Sequence, residues 1–200
     1  MRQAFYMTSE YTDLFRPFAF HNGLTLRNRV IANHTKRPFA LGYRISPEER
    51  EDGGYRMPDI CALVDGLIAE NIDYLHVSLN DVLGARPLGA DTRLTVEHII
   101  AHVDERVPVL AAGMLRTAAQ AQAALGLGLS LIAVGKGLVM NPDWMALAES
   151  GCGAQIRQEL DLSERKELLL PEGLWQAIEA APGWIPTIEV DRKPTNVPSR

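Results

Sequence analysis

Hydrophobic residues along the chain fall into two kinds of segment that follow one another in a regular order. Short, continuous apolar runs are typical of parallel strands covered on both faces, and they predict strands at 29–32, 40–46, 74–79, 109–112 and 129–134. Other segments keep apolar residues three and four positions apart, which indicates helices, at 58–70, 93–105 and 117–125. The later part of the chain is therefore a repeated unit of one strand followed by one helix.

Two architectures fit this alternation, the open doubly wound sheet and the closed (β/α)8 barrel. The polar residues favour the barrel, because barrel enzymes build their sites at the carboxyl ends of the strands. Those strand ends carry Arg44 to Ser46, Ser78 to Asp81, Gly113 with Met114, and Gly135 to Gly137. We therefore predict an α/β, TIM-barrel-like fold with its functional groups at one rim.

The N-terminal part of the pattern is shorter than a barrel requires. Asn22-Gly23, between apolar flanks, predicts a β-hairpin turn within residues 15–33. The strand at 29–32 is then separated from the next strand only by residues 33–38, whereas a parallel crossover needs about a dozen residues or more. We therefore expect a partial barrel of about five parallel strands plus the hairpin, with a deletion junction at 33–38.

The C-terminal part predicts short helices and a tail. Asn141-Pro142-Asp143-Trp144 predicts a helix that starts at the proline and runs to Glu149, because proline favours the first turn of a helix, and further helices are expected at 163–169 and 171–181. Residues 1–181 are predicted to form one domain, and residues 182–200 a loosely packed or extended tail. The tryptophans are expected to be packing anchors: Trp144, Trp175 and Trp184.

Composition narrows the classes of function. The chain has 200 residues, of which 46% are hydrophobic and 22% charged, and this content fits one globular domain. The net charge of −5 and the scattered Lys and Arg residues argue against nucleic-acid or membrane binding. Cys61 and Cys152 are too few for a disulfide scaffold, and the N-terminus lacks a signal-type apolar core. We predict a cytoplasmic protein that acts on a small molecule.

Two glycine-bearing strand ends suggest a site for a phosphate. Without a Cβ atom, Gly113 and Gly135 allow backbone N–H groups to approach an oxyanion closely, and Lys136 would add a positive charge. Glycine at the end of a strand is also ordinary turn chemistry. Both interpretations stay open on the residues alone.

Other residues that could carry chemistry have simpler explanations. His76 lies within a strand, where a core or hydrogen-bonded histidine is the expected role, and His34 is expected in an exposed loop. His98 and His102 have metal-ligand spacing on one helix but no clear third ligand, so we expect a solvated face and predict no metal. The carboxylates within 48–52 are expected to be solvated rather than catalytic.

Several strings of residues carry a resemblance to a known family. "GYRISPEE", "GGYRMPDICALVDGLIAENIDYLHVSLND", "VPVLAAGM" and "LIAVGKGLVMNPDW" resemble the C-terminal half of the Old Yellow Enzyme family, NADH:flavin oxidoreductases with FMN bound in a (β/α)8 barrel. "LFRPFAFHNGLTLRNRVI" resembles the first segment of that family. The family continues from there through barrel strands two, three and four, and this chain has only residues 33–38 in their place.

The resemblance implies roles for five residues. Arg44 matches the arginine that reaches the flavin ring near N1 and O2. Gly113 with Met114 matches the loop whose backbone amides hold the FMN phosphate, and Gly135 with Lys136 matches a pair that puts its basic residue on the phosphate or the ring. No catalytic residue is assigned, because the His/Asn pair and the tyrosine that act on the substrate in the family have no counterpart here.

Two functions are consistent with this resemblance. The first is an FMN-dependent oxidoreductase that transfers hydride from NADH or NADPH through FMN to an electron-poor alkene or another acceptor. The alternative is an impaired or inactive truncated paralogue that at most binds FMN or a partner chain. A partial barrel leaves strand edges exposed, and such edges invite pairing with a second copy. The resemblance therefore implies a flavoprotein, and the exposed strand edges predict that it can form a homo-oligomer.

Overall fold

The computed structural model describes residues 18–19, 25–26, 40–89, 92–162, 168 and 170–188. Its strands are β1 Phe18–Ala19, β2 Thr25–Leu26, β3 Gly42–Ile45, β4 Tyr74–Ser78, β5 Val109–Ala112, β6 Leu131–Ile132, β7 Leu160–Asp161 and β8 Thr187–Ile188. Its helices are α1 Met57–Ala69, α2 Thr95–Val103, α3 Ala118–Gly126, α4 Lys136–Met140, α5 Trp144–Glu149 and α6 Glu172–Ala180, with a 3-10 turn at Gly153–Gln155.

The centre of the described structure is a parallel sheet with a helix between each pair of successive strands. Within the described residues this sheet has four strands. Their order across the sheet, β3-β4-β5-β6, is the same as their order along the chain. Helices α1, α2 and α3 make the three connections. This arrangement is the expected α/β fold, a partial TIM-barrel-like sheet. The further parallel strand expected at 29–32 and the junction at 33–38 lie outside the described residues.

The two faces of the sheet carry different residues. In β4, Leu75 and Val77 are fully buried, and they belong to a core formed with apolar residues of the helices, including Val64 of α1 and Ile99 of α2. The opposite face is called here the inner face. Strand register places one row of residues across it: Arg44 of β3, His76 of β4, Leu110 of β5 and Leu131 of β6.

Local capping explains where helices begin. The Thr117 hydroxyl accepts a hydrogen bond from the Gln120 amide at 3.2 Å, and the Gln120 side-chain oxygen accepts one from the Thr117 amide at 3.1 Å. This reciprocal pair is a capping box that satisfies two amides without helical partners, and α3 begins directly after Thr117. In α1 the Asp59 carboxylate accepts from the Arg56 amide at 2.9 Å.

The predicted N-terminal hairpin is present. β1 pairs with β2 in antiparallel register, with Phe18 opposite Leu26 and Ala19 opposite Thr25. The Asn22-Gly23 turn itself lies outside the described residues.

A second apolar cluster lies in the C-terminal part of the chain. It contains Met140, Leu160, Leu168, Trp175, Ile178 and Ile185. β7 and β8 pair in parallel, with Leu160 opposite Thr187. Ordered packing therefore continues past residue 181 to Ile188, into the segment for which we expected a loose or extended tail.

Several boundaries differ from the sequence prediction. The strand expected at 129–134 is only Leu131–Ile132, and the chain then enters α4, which the sequence did not predict. Most of the helix expected at 163–169 lies outside the described residues. Trp144 and Trp175 are buried as expected, whereas Trp184 is 43% exposed and is not a buried anchor. Among the described helices, none has the length and apolarity needed to span a bilayer.

Candidate functional site

A cleft of about 320 Å³ lies at the carboxyl ends of β4, β5 and β6. The loops that follow β5 and β6 form two of its walls. Its lining comprises Ser78, Leu79, Asn80, Ala112, Gly113, Met114, Leu115, Arg116, Ala133, Gly135 and Lys136. Four of the five residues assigned by resemblance, all except Arg44, therefore lie on one concave surface. Their role in binding stays a prediction.

The loop after β5 requires glycine at its first position. Gly113 has φ +153°, and a Cβ atom there would clash with the carbonyl oxygen of Leu79. The Gly113 carbonyl accepts a hydrogen bond from the Val82 amide at 3.2 Å, so the loop is fastened to the loop after β4. Met114 follows with φ +49°, in the left-handed region that residues with a side chain seldom adopt. The turn therefore closes sharply over the strand end.

The loop after β6 has an open glycine followed by a packed one. Apart from its two neighbours in the chain, no described residue has an atom within 4 Å of the position that a Cβ atom on Gly135 would take. A Cβ atom on Gly137 would lie 2.8 Å from Val134 Cγ1 and 3.3 Å from the Arg116 carbonyl oxygen. Gly135 therefore leaves space beside the cleft, and Gly137 allows close contact between the two loops.

Backbone amides at these two loops are available to a ligand. Within the described part of the chain, the N–H groups of Gly113, Met114, Gly135 and Lys136 donate no hydrogen bond to protein. Unpaired amides in a concave turn are donors that suit an anion.

The charges of the lining are all positive. Arg116 and Lys136 belong to it, and none of the described residues that line the cleft is a carboxylate. Arg116 was not among the residues predicted from the sequence. Its position in the same loop, two residues after Met114, is the signal that could have found it. A pocket with two cations and no acidic side chain favours a phosphate dianion over a neutral ligand.

Arg44 is joined to the cleft without lining it. Its Nη2 donates a hydrogen bond of 2.6 Å to the hydroxyl of Ser78, which does line the cleft. The Arg44 side chain is otherwise exposed on β3. Ser78 therefore connects Arg44, the residue predicted to contact the flavin ring, to the cleft formed by the predicted phosphate-binding loops.

His76 lies beside Arg44 on the inner face. It is half-buried, and within the described residues its buried Nε2 has no hydrogen-bond partner. Burial lowers the pKa of this imidazole, and the positive charge of Arg44 lowers the pKa further. His76 is therefore neutral near pH 7. A core histidine usually has its ring nitrogens hydrogen-bonded, and within the described residues the Nε2 of His76 does not.

A second hollow, of about 420 Å³, adjoins the cleft and shares Ser78, Leu79 and Asn80 with it. Glu48 lines this hollow, and its carboxylate accepts a hydrogen bond of 2.8 Å from the Leu88 amide. Glu48 therefore ties the loop after β3 to the loop after β4, where the sequence predicted only a solvated carboxylate.

The histidines of α2 face neighbouring groups. His102 Nε2 lies 3.1 Å from Asp65 Oδ1, and Arg106 Nη1 lies 2.8 Å from the same oxygen. These residues link α1 and α2, so the prediction of a merely solvated helix face was wrong for His102. His98 lines a separate hollow together with Glu48 and Leu88. In the part of the chain that the structure describes, no group of three or more metal-ligating side chains is present.

A parallel sheet whose strand ends carry a glycine-lined cationic cleft is typical of phosphate-binding α/β barrels. No protein-family model matches the chain. It is 36% identical over 159 residues to the probable NADH-dependent flavin oxidoreductase YqiG of Bacillus subtilis (strain 168), covering 79% of this chain and 43% of that protein.

Two further relatives have related names. The chain is 34% identical over 159 residues to the NADH:fumarate oxidoreductase of Klebsiella pneumoniae (strain 342), covering 76% of this chain and 17% of that protein. It is 30% identical over 166 residues to the NADH:acrylate oxidoreductase of Vibrio harveyi, covering 78% of this chain and 16% of that protein. The chain thus spans less than half the length of these curated relatives.

The similarity to these proteins confirms the resemblance found in the sequence. Over the matched segment the similarity to these NADH-dependent flavin oxidoreductases supports an Old Yellow Enzyme-like family for the chain.

Proposed function

We propose that this chain binds FMN and serves as an NADH-dependent flavin oxidoreductase of the Old Yellow Enzyme type. The observation that carries the proposal is the cleft at the ends of β4, β5 and β6, where Gly113, Met114, Gly135 and Lys136 lie together. These residues follow two separate strands, and their assembly in one concave surface is what a shared ligand requires.

The residues present fit the phosphate of FMN. Lys136 and Arg116 would offset the charge of the phosphate dianion, and the amides of Gly113 and Gly135 are free to donate to its oxygens. The open space beside Gly135 would admit a phosphate oxygen close to the backbone. Among the described lining residues there is no carboxylate to oppose an anion.

Arg44 and Ser78 would act on the flavin ring rather than on the phosphate. When bound, FMN supplies the ring that accepts and passes on a hydride. A fixed cation next to such a ring stabilises negative charge that develops on it. The hydrogen bond from Arg44 to Ser78 holds the guanidinium at the rim of the cleft, where the resemblance places the contact with N1 and O2.

We propose NADH as the electron donor and an electron-poor alkene as the acceptor. The three relatives are all named for NADH, and two are named for fumarate or acrylate. Both of those compounds have an alkene conjugated to a carboxylate, which draws electron density from the double bond. NADPH and other acceptors are the competing choices.

A specific observation supports the second candidate, a chain that binds FMN without turning it over. β3 is the edge of the described parallel sheet, and Leu41 and Tyr43 are 51% and 47% exposed beside it. In the family, the strands that carry the substrate-binding His/Asn pair precede this strand. Without those donors, hydride transfer to a carbonyl-activated alkene would lose most of its stabilisation.

Titration of FMN into the purified protein and its Lys136→Ala variant tests the binding proposal. Loss of the ammonium should weaken FMN about tenfold, as expected for one charge-assisted hydrogen bond. Arg50→Ala is the matched control, because it removes one positive charge from outside the cleft. Equal FMN affinity in all three proteins would contradict the proposal. FMN-dependent NADH oxidation by the wild type distinguishes the oxidoreductase from the chain that only binds.

A further inference from the structure

We propose that Trp144 is a positioning residue that holds the two loops of the cleft at a fixed separation and so makes the site selective for a phosphomonoester. The inference rests on the proposed FMN binding, and it adds a residue from outside the cleft to the determinants of that binding.

The indole of Trp144 is fastened to one loop of the cleft. Trp144 is the first residue of α5 and is fully buried. Its Nε1 donates a hydrogen bond of 2.7 Å to the carbonyl oxygen of Arg116. The Arg116 amide in turn donates to the Gln120 side chain at 2.9 Å. Both peptide groups of Arg116 are therefore held, one by α5 and the other by α3.

The other loop packs against the same peptide. A Cβ atom added to Gly137 would lie 3.3 Å from the carbonyl oxygen of Arg116 and 3.5 Å from the Cα atom of Arg116. The Gly137 carbonyl oxygen accepts a hydrogen bond of 3.0 Å from the side-chain amide of Asn141, and Asn141 is buried. The Arg116 carbonyl therefore lies between the indole and the start of α4, and the loops after β5 and β6 meet at this point.

This contact sets the geometry that a phosphate needs. The free amides of Gly113 and Gly135 come from different loops, so both can reach one anion only while the loops keep their spacing. Hydrogen bonds to an anion weaken steeply with misplacement, and a shift of about 1 Å is enough to matter. A ligand without a phosphate does not use this spacing. The contact between Trp144 and Arg116 therefore contributes to the binding of FMN and not to that of riboflavin.

Trp144→Phe keeps an aromatic ring in the core and removes the indole N–H. We expect the variant to bind FMN about tenfold more weakly and riboflavin as the wild type does. Hydrogen exchange at the amides of Arg116 and Thr117, which both donate to the Gln120 side chain, should be faster in the variant, with no ligand present. Trp175→Phe is the matched control, since Trp175 is 2% exposed and belongs to the second apolar cluster. It should leave the FMN-to-riboflavin ratio and the exchange at these two amides unchanged.

Other outcomes would overturn the inference. Unchanged FMN affinity in Trp144→Phe, or an equal loss for FMN and riboflavin, would show that the indole has no phosphate-specific role. If the wild type binds no FMN, the proposed function fails, and unchanged exchange at the Arg116 and Thr117 amides would then overturn the positioning role separately. Should Trp144→Phe fail to fold, Gly137→Ala takes its place, because the added methyl group would press on the Arg116 carbonyl from the other side. It should likewise weaken FMN and not riboflavin.

Discussion

His76 shows how one residue makes the inner face of the sheet sensitive to acid. Its buried Nε2 has no protein partner within the described residues, and Arg44 is its direct neighbour in register. A proton on this imidazole would place a second positive charge in a partly buried site beside the guanidinium. The folded protein therefore resists protonation of His76, and the pKa of the ring falls below its ordinary value of about 6.5.

The sign of the resulting pH dependence follows from proton binding. Below about pH 6.5 the unfolded chain binds a proton at His76 that the folded chain does not, so stability decreases as the pH falls through that range. The free energy of unfolding of His76→Gln should therefore decrease less between pH 7.5 and pH 5.5 than that of the wild type. Urea unfolding at the two pH values measures the difference. Parallel losses in the two proteins would show that His76 is not the responsible group.

Among the elements, α1 and α2 are joined at their surface by charged groups. Asp65 of α1 contacts both His102 and Arg106. The hydrogen bond from Arg106 and the nearby charges hold the pKa of the Asp65 carboxyl below its usual value, against a smaller opposing effect of desolvation. The stability that this carboxylate contributes is therefore present above its ordinary pKa and is lost as the pH falls below it.

Asp65→Asn should lower stability slightly at pH 7, because the pair is open to solvent and exposed ion pairs contribute little. About 1 M salt should remove most of the difference between variant and wild type, since screening acts on exposed charges. Thermal unfolding at low and high salt measures both effects. Asp52→Asn, which changes an exposed carboxylate outside this cluster, serves as the control. A loss in Asp65→Asn that persists in salt would contradict an electrostatic link.

The sequence predicts elements well where a pattern is long. α1, α2 and α3 lie within a few residues of their predicted positions, and β5 has its predicted bounds, because periodic apolar faces and capping residues are local signals. α4 was missed because five residues beginning with Lys136-Gly137 are too short for a helical period. β7 and β8, with two residues each, depend on pairing between distant segments that no local pattern records.

The residues of the candidate site also fall into those that the sequence predicts and those that it does not. Gly113, Met114, Gly135 and Lys136 could be chosen from strand ends and resemblance, and the structure brings them together. The positioning role of Trp144 could not be predicted, because it comes from one hydrogen bond, to the Arg116 carbonyl, between residues 28 positions apart. That bond exists only once α5 has packed under the loop after β5.

At the scale of the whole molecule, the described part of the parallel sheet has an exposed edge. Within the described residues β3 is an edge strand, with Leu41 and Tyr43 exposed along it. Edge strands with exposed apolar side chains pair readily with another chain. We propose that a second copy of this chain covers this edge.

Tyr43→Lys tests that assembly. A charged residue on the edge should shift the protein toward monomer in sedimentation velocity, since charge on an edge strand opposes pairing. Leu63→Lys makes the same change at an exposed position of α1 and should leave the distribution unchanged. A wild-type protein that is already monomeric over the accessible concentration range would rule the assembly out.

The central claim is that the loops after β5 and β6 bind the phosphate of a flavin. Calorimetric titration of the wild-type protein with FMN and then with riboflavin tests that claim directly, because the two ligands differ only in the phosphate. We expect FMN to bind at least about tenfold more tightly, as several charge-assisted hydrogen bonds would require. Equal affinities for the two ligands, or no binding of FMN, would contradict the account.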